Sequence, residues 1–289
     1  MGTIKKAFLL LLILLLVACK PEQKPRLVVV ISVDHLAYFA YDHYRPVFTG
    51  GFKWLDDHGT SFDNAHHEHG YCSTGPGHFV LGSGLHPGPA GIIGNNWYDR
   101  VNKKDVYCVE DPEVNELDIP ANHMSYNKVN GTSYGDWLKA VSPKSKVYGV
   151  SCKDRASIMM SGKNPDLALW YNWRGSFTTT DYYTDVIPEW LIDFNENLNI
   201  LGYRDSVWTT DLDPQLLAEY THGDSFYGES DRFEKTNYSP VFPIGFEAEW
   251  DDAKVRNEIA SRPWMDRMTL ELAATIVRET DLGQDGTPD

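Results

Sequence analysis

The chain has 289 residues, of which 42% are apolar, enough to bury a core in one large α/β domain or two small ones. A formal net charge of -15 and a pI near 5.0, with no run of Lys and Arg to interrupt the acidic balance, exclude a broad electrostatic affinity for nucleic acid. An anionic ligand has to be held by a few local cations or by metal ions.

Residues 1–19 begin with Lys5 and Lys6 and continue in an apolar run too short and too oddly flanked for a comfortable membrane span. This reads as an export signal. Its end, Leu16-Val17-Ala18-Cys19, is similar to a bacterial lipobox, which makes Cys19 the lipidated first residue after cleavage and residues 20–26 a polar, Pro-containing tether. A plain signal peptide or an uncleaved anchor is the alternative. The expected location is the periplasm or cell envelope, with the membrane reached through a lipid anchor. Cys72, Cys108 and Cys152 then meet oxidising conditions. Being three, they allow at most one internal disulfide, and their spacing fits neither a zinc knuckle nor a CxxC redox pair.

"RLVVVISVD", residues 26–34, is a continuous β-branched run that predicts a strand buried on both faces of a parallel sheet, with Asp34 at its C-terminal end. In open α/β sheets that is the ligand-binding edge. A helix is expected from about Ala37 to Phe48, then a break at Gly50-Gly51, a helical turn through Leu55, and an extended stretch through His69. In extended backbone His67 and His69 share a face while His66 points away, so a metal site there lacks an evident third ligand.

"GYCSTGPGHFVLGSG", residues 70–84, sets Ser73 and Thr74 directly before a run able to start a helix. A Thr74 hydroxyl at a helix N-terminus lies beside unpaired backbone N–H groups and the positive end of the dipole, a setting suited to phosphate or sulfate. The same position serves equally as an ordinary N-cap. The next stretch, through Asn95 and Asn96, is a Gly/Pro-dense loop. "SYGDWLKAVS" predicts a capped helix, and "SKVYGVSC" a second buried strand followed at once by Lys153, Asp154 and Arg155. Lys153 and Arg155, two apart, face one side if the backbone is extended, and together suit a dianionic phosphoryl group. From 159 to 250 the composition shifts to Trp, Tyr, Asn and Asp, which suggests a cap-like insertion; "PWMDRMTLELAATIVRET" then predicts a helix with Pro263 near its start.

These residues assemble into a resemblance. "VVVISVD", "NAHHEHGYCSTGPGHFVLGSGLHPGPAGIIGNNWYDR" and "SCKDR" together resemble the N-terminal part of the alkaline phosphatase superfamily, in its type I phosphodiesterase/nucleotide pyrophosphatase branch, most like the PafA-type alkaline phosphatases. The resemblance covers residues 27–155 well and the rest loosely. It implies an α/β fold with a mostly parallel sheet flanked by helices, divided as core at 27–158, cap at 159–250 and a return to the core at 251–289. It also implies roles: Thr74 as nucleophile, Asp34 and Thr74 as zinc ligands, Asn95 as a phosphate-oxygen donor. Gly75, Lys153 and Arg155 complete the substrate-binding set. The activity implied is a zinc-dependent phosphomonoesterase, with two ions in the complete protein and a phosphothreonine intermediate, acting on small-molecule phosphate esters. Alternatives are a phosphodiesterase or nucleotide pyrophosphatase with the same nucleophile, and a lipoprotein that only binds ligands; a sulfatase is disfavoured because the "CxPxR" context is missing. The family's further metal ligands, an Asp-x-x-x-His segment, an Asp-His pair and another His, have no counterpart before Asp289, so the resemblance implies an N-terminal fragment of a longer protein.

Overall fold

Five consecutive residues, Leu167–Tyr171, have both faces of their strand buried, and they organise the rest. In this computed structural model, which describes residues 25–119, 122–224, 226 and 241–289, the strand is the middle of a three-stranded sheet. We number the strands β1 (Asn96–Asp99), β2 (Lys104–Tyr107), β3 (Tyr148–Ser151), β4 (Leu167–Tyr171) and β5 (Phe177–Thr178). β3 runs parallel to β4, Tyr148 opposite Leu167, and β5 runs antiparallel to it, Tyr171 opposite Phe177. Side chains alternate along a strand. Leu167, Leu169 and Tyr171 therefore enter one core, with Phe177, Leu191, Met265, Met268, Leu272 and Ile276, while Ala168 and Trp170 enter a second, with Phe79, Ile92, Cys108, Ile158 and Met159.

The helices follow from local signals. In chain order they are α1 (Tyr38–Tyr44), α2 (Gly50–His58), α3 (Thr74–Ser83), α4 (Tyr134–Val141), α5 (Asp154–Ser161), α6 (Glu189–Asn197), α7 (Pro214–Tyr220), α8 (Asp252–Glu258) and α9 (Pro263–Glu279). α4 begins where "SYGD" predicts: the Asp136 carboxylate accepts from the Ser133 N–H at 2.8 Å, the return half of a capping box. Pro263 opens α9, whose buried Met265, Met268, Leu272 and Ile276 recur at helical spacing. α5 is the crossover between the parallel strands β3 and β4. It packs directly on α3, where Gly82 is required: a Cβ there would stand 2.8 Å from the Met159 carbonyl oxygen.

The structure departs from expectation at the first predicted strand. Residues 27–33 form no strand, and Val28, Val29 and Ile31 are each more than 60% exposed. Burial on both faces needs layers above and below and paired edges. Among the described residues the run has one short backbone pairing with another segment, Val28 N–H to Asp289 O and Asp289 N–H to Arg26 O, with Leu27 packed against the α9 core. The sheets are also small: besides the mixed three-stranded sheet there is only the antiparallel ribbon β1–β2 among the described residues. The aromatic stretch beginning at 159 itself supplies β4 and β5. No helix among the described residues is long and apolar enough to cross a membrane. The export signal, Cys19 and most of the tether lie outside the described residues.

Candidate active site

Ser73, not Thr74, occupies the N-cap position of α3, with extended backbone, and Thr74 is the first helical residue. Ser73 makes no side-chain cap bond and its hydroxyl is buried without a partner. The capping explanation of this Ser-Thr pair therefore fails: Pro76 has no N–H, the Gly77 N–H bonds the Ser73 carbonyl at 2.9 Å, and what the helix start offers is the positive end of its dipole. The Gly75 N–H donates to Asn95 Oδ1 at 2.7 Å. A backbone N–H can only donate, so this bond fixes the amide's orientation and leaves Nδ2 as the donor end of Asn95. A Cβ on Gly75 would lie 3.0 Å from Cys108 Sγ and 3.3 Å from Asn95 Oδ1, so a side chain here would push on both neighbours. The Asn95 carbonyl in turn accepts from the Cys108 N–H at 3.0 Å.

One turn into α3, the buried His78 braces the nucleophile candidate from behind. Its Nδ1–H donates to the Thr74 carbonyl at 2.8 Å, so Nε2 is left to accept from the Ser32 hydroxyl at 3.3 Å. With both nitrogens committed, His78 orients the Thr74 backbone rather than taking the Thr74 proton.

Two cationic side chains arrive from the C-terminal end of β3, by a geometry different from the one expected. Lys153 is the extended N-cap of α5 and Arg155 already lies in its first turn, so the two do not share a strand face. Lys153 Nζ is 3.2 Å from Asp34 Oδ2, and His35 Nε2 lies 4.0 Å from the same oxygen. Burial raises the Asp34 pKa, but the hydrogen bond and charge of Lys153, with a smaller contribution from His35, outweigh it and hold the carboxyl below its ordinary value. Arg155 turns the other way: its Nη1 donates to Tyr107 Oη at 3.0 Å, and that hydroxyl donates to Asp154 Oδ1 at 2.5 Å. Burial, followed by the Asp154 charge, pushes the Tyr107 phenol far above its usual range, so the hydroxyl stays a neutral bridge. The Arg155 Nε is buried with no hydrogen-bond partner, an unspent donor on the same guanidinium.

The expected residues thus fall into linked groups. Thr74, Gly75 and Asn95 form one, Asp34 and Lys153 a second, and Arg155 with Tyr107 and Asp154 a third; Cys108, next to Tyr107, touches the first. Tyr107 and His78 carry no spacing signal in the sequence. Tyr107 is placed by the β1–β2 register, which sets it opposite Asn96. His67 and His69 do converge, with ring centroids 5.2 Å apart, while His66 bonds Asn64 instead. No group of three or more His, Cys, Asp or Glu side chains among the described residues is arranged to hold a metal ion. Asp34 and Thr74 offer two oxygen donors where a catalytic zinc takes about three protein ligands, so the described residues alone do not complete a zinc site. Cys72, Cys108 and Cys152 are all unpaired thiols.

A family model described as type I phosphodiesterase / nucleotide pyrophosphatase matches residues 28–281. The alkaline phosphatase PafA of Elizabethkingia meningoseptica is 32% identical over 272 residues, 92% of this chain and 49% of PafA. The alkaline phosphatase PhoV of Synechococcus elongatus is 33% identical over 271 residues, 92% of this chain and 48% of PhoV. The crystal structure of PafA matches at a TM-score of 0.80 and 30% identity, over 92% of this chain and 52% of that one. The chain spans about half the length of the curated relatives it matches, and over that half its α/β fold is of the alkaline phosphatase type. Since the match runs from the exposed Val28 run through the Thr74 loop and β3 to the end of α9, the chain belongs to the type I phosphodiesterase / nucleotide pyrophosphatase family.

Proposed function

We propose that this chain carries the nucleophile and the phosphoryl grip of a phosphoric ester hydrolase that favours monoesters. The observation that supports the reading is the Gly75–Asn95 pair at the start of α3, tied through the Cys108 N–H, one residue after Tyr107, to the strand that carries the Arg155–Tyr107 bridge. The similarity to proteins named alkaline phosphatases supports phosphate esters as the substrate class.

As Thr74 Oγ1 attacks phosphorus in line its proton passes to water, and one P–O bond forms as the bond to the ester oxygen breaks, that oxygen taking a proton from water as it leaves as the alcohol. Negative charge at Thr74 Oγ1 is favoured by the N-terminal dipole of α3. Asn95 Nδ2 and the Arg155 guanidinium donate to the equatorial oxygens, where charge resides in the transition state. Lys153 adds a point charge, which a dianionic monoester uses better than a monoanionic diester. Water then hydrolyses the phosphothreonine. Zinc enters this reading through the resemblance, as two ions in the complete enzyme, and no step here runs through it. The lipobox-like end at Cys19 supports a lipid-anchored location at the cell envelope.

Acid quenching during turnover of a radiolabelled monoester is expected to leave label on the protein, and none on Thr74→Ala; near-normal phosphatase activity in Thr74→Ala overturns the assignment. The family description favours a diesterase as the second reading. Arg155→Ala separates the two: a loss of about tenfold to a hundredfold on a monoester, the worth of a charged hydrogen bond, with a smaller loss on a diester, supports the monoesterase.

A further inference from the structure

Beside the phosphoryl grip lies a cavity that phosphoryl transfer does not use. It occupies about 470 Å³ and is lined by Cys152 and Lys153 after β3, Tyr171 at the end of β4 and Trp173 just beyond it, and Asn257 and Ser261 from α8 and the turn that follows it. That volume lies within the ~300–1,000 Å³ of small-molecule sites. Lys153, whose amine meets Asp34, forms one wall. The Tyr171 hydroxyl is tied to the Arg256 carbonyl at 2.9 Å, and burial pushes the Cys152 thiol up to about 11, so both present neutral surfaces. Asn257 and Ser261 bring an exposed amide and an exposed hydroxyl.

The wall that points to a ligand is Trp173, 51% exposed at the tip of the β4–β5 hairpin. The tip is tightly built. Asn172 Oδ1 accepts from the Arg174 N–H at 3.0 Å, Asn172 Nδ2 donates to Asp118 at 2.9 Å, and the Gly175 N–H closes the turn on the Asn172 carbonyl at 3.1 Å. Gly175, at φ +93°, adopts a backbone that a side chain would strain. The Arg174 guanidinium stands 5.2 Å from the Trp173 ring centroid. A large indole on a tightly bonded turn, faced by Arg174 and half in water, thus stands at the lip of a cavity whose other side carries Lys153.

We infer that this cavity takes the organic group of the phosphate ester, a flat, uncharged aryl group stacked on Trp173 while the phosphoryl end meets Lys153. The inference rests on the phosphoryl-transfer reading. The probes are phenylphosphonate and methylphosphonate, which share a phosphonate head and differ in the ring, with binding to the full chain followed by calorimetry. Phenylphosphonate is expected to bind about tenfold more tightly than methylphosphonate, the scale of one aromatic stack with the area it buries. Trp173→Ala removes that advantage and leaves methylphosphonate affinity unchanged, and Trp173→Phe retains most of it; circular dichroism verifies that both variants fold. Equal affinity of the two phosphonates, or a ring advantage that survives Trp173→Ala, overturns this inference and leaves the phosphoryl-transfer reading standing. Failure of both phosphonates to bind overturns both.

Discussion

The segment from Leu27 to His58 and the region around α3 and α5 are both rich in apolar side chains, and they meet opposite fates. Phe79, Ile92, Ile158 and Met159 are fully buried between α3, α5 and β4, whereas Val28, Val29, Ile31, Phe39 and Trp54 are all largely exposed. Side-chain type is the same in both; what differs is whether another layer covers it. The difference extends to the candidate site. Thr74, Gly75, Asn95 and Arg155 stand on the closed side and are held by hydrogen bonds to buried or half-buried neighbours. Asp34 lies within the open segment and is held by an ion pair that water reaches.

The contrast is easiest to break at its most buried point. Phe79→Ala is expected to cost about 3–5 kcal/mol, while Val29→Ala stays within about 0.5 kcal/mol, both read from urea midpoints. Comparable losses at the two positions would show that the open segment is packed after all. A smaller effect is expected from Tyr107→Phe, which strips the bridge between Arg155 and Asp154 and leaves buried polar groups unpaired, at about 1–3 kcal/mol. Methylphosphonate binding should weaken alongside, since the guanidinium loses its anchor; unchanged binding would mean that Arg155 needs no positioning. The smallest effect belongs to Asp34. Its folded pKa is lowered, so the stability it contributes is complete above the unfolded carboxylate pKa and fades as the pH falls through the folded value. In Lys153→Met burial acts with less opposition, and the Asp34 titration seen by carboxyl NMR should move upward, with the wild-type value drifting the same way in high salt. An Asp34 titration identical in both proteins would remove Lys153 as its partner.

Local order was largely legible. Pro263 and the spacing of Met265, Met268, Leu272 and Ile276 are sufficient to draw α9, and Ser133 with Asp136 to begin α4. The run 27–33 shows where such reasoning stops: β-branched residues declare that a segment suits a buried strand, but not what lies on either side of it. β4 was hidden for a related reason. Its "LALWY" precedes a polar, aromatic loop, and the shift in composition masked the strand within it. In the site, Thr74, Asn95, Lys153 and Arg155 were legible as a set only through the family resemblance. Their attachments were not, because Tyr107 meets Arg155 through a hairpin register and a helix start, both of which depend on contacts distant in sequence. The expectation that Lys153 and Arg155 share an extended face failed because α5 begins between them.

Cys108, fully buried against the glycine that follows Thr74, has a thiol pushed up to about 12 by burial, then by the charge of Asp154. A thiol held neutral and dry reacts only when the loop above it lifts, whereas Cys72, exposed two residues before Thr74, reacts without such an excursion. The two sulfurs therefore form a native clock for the nucleophile loop, one reporting its surface at all times and the other only how often it opens.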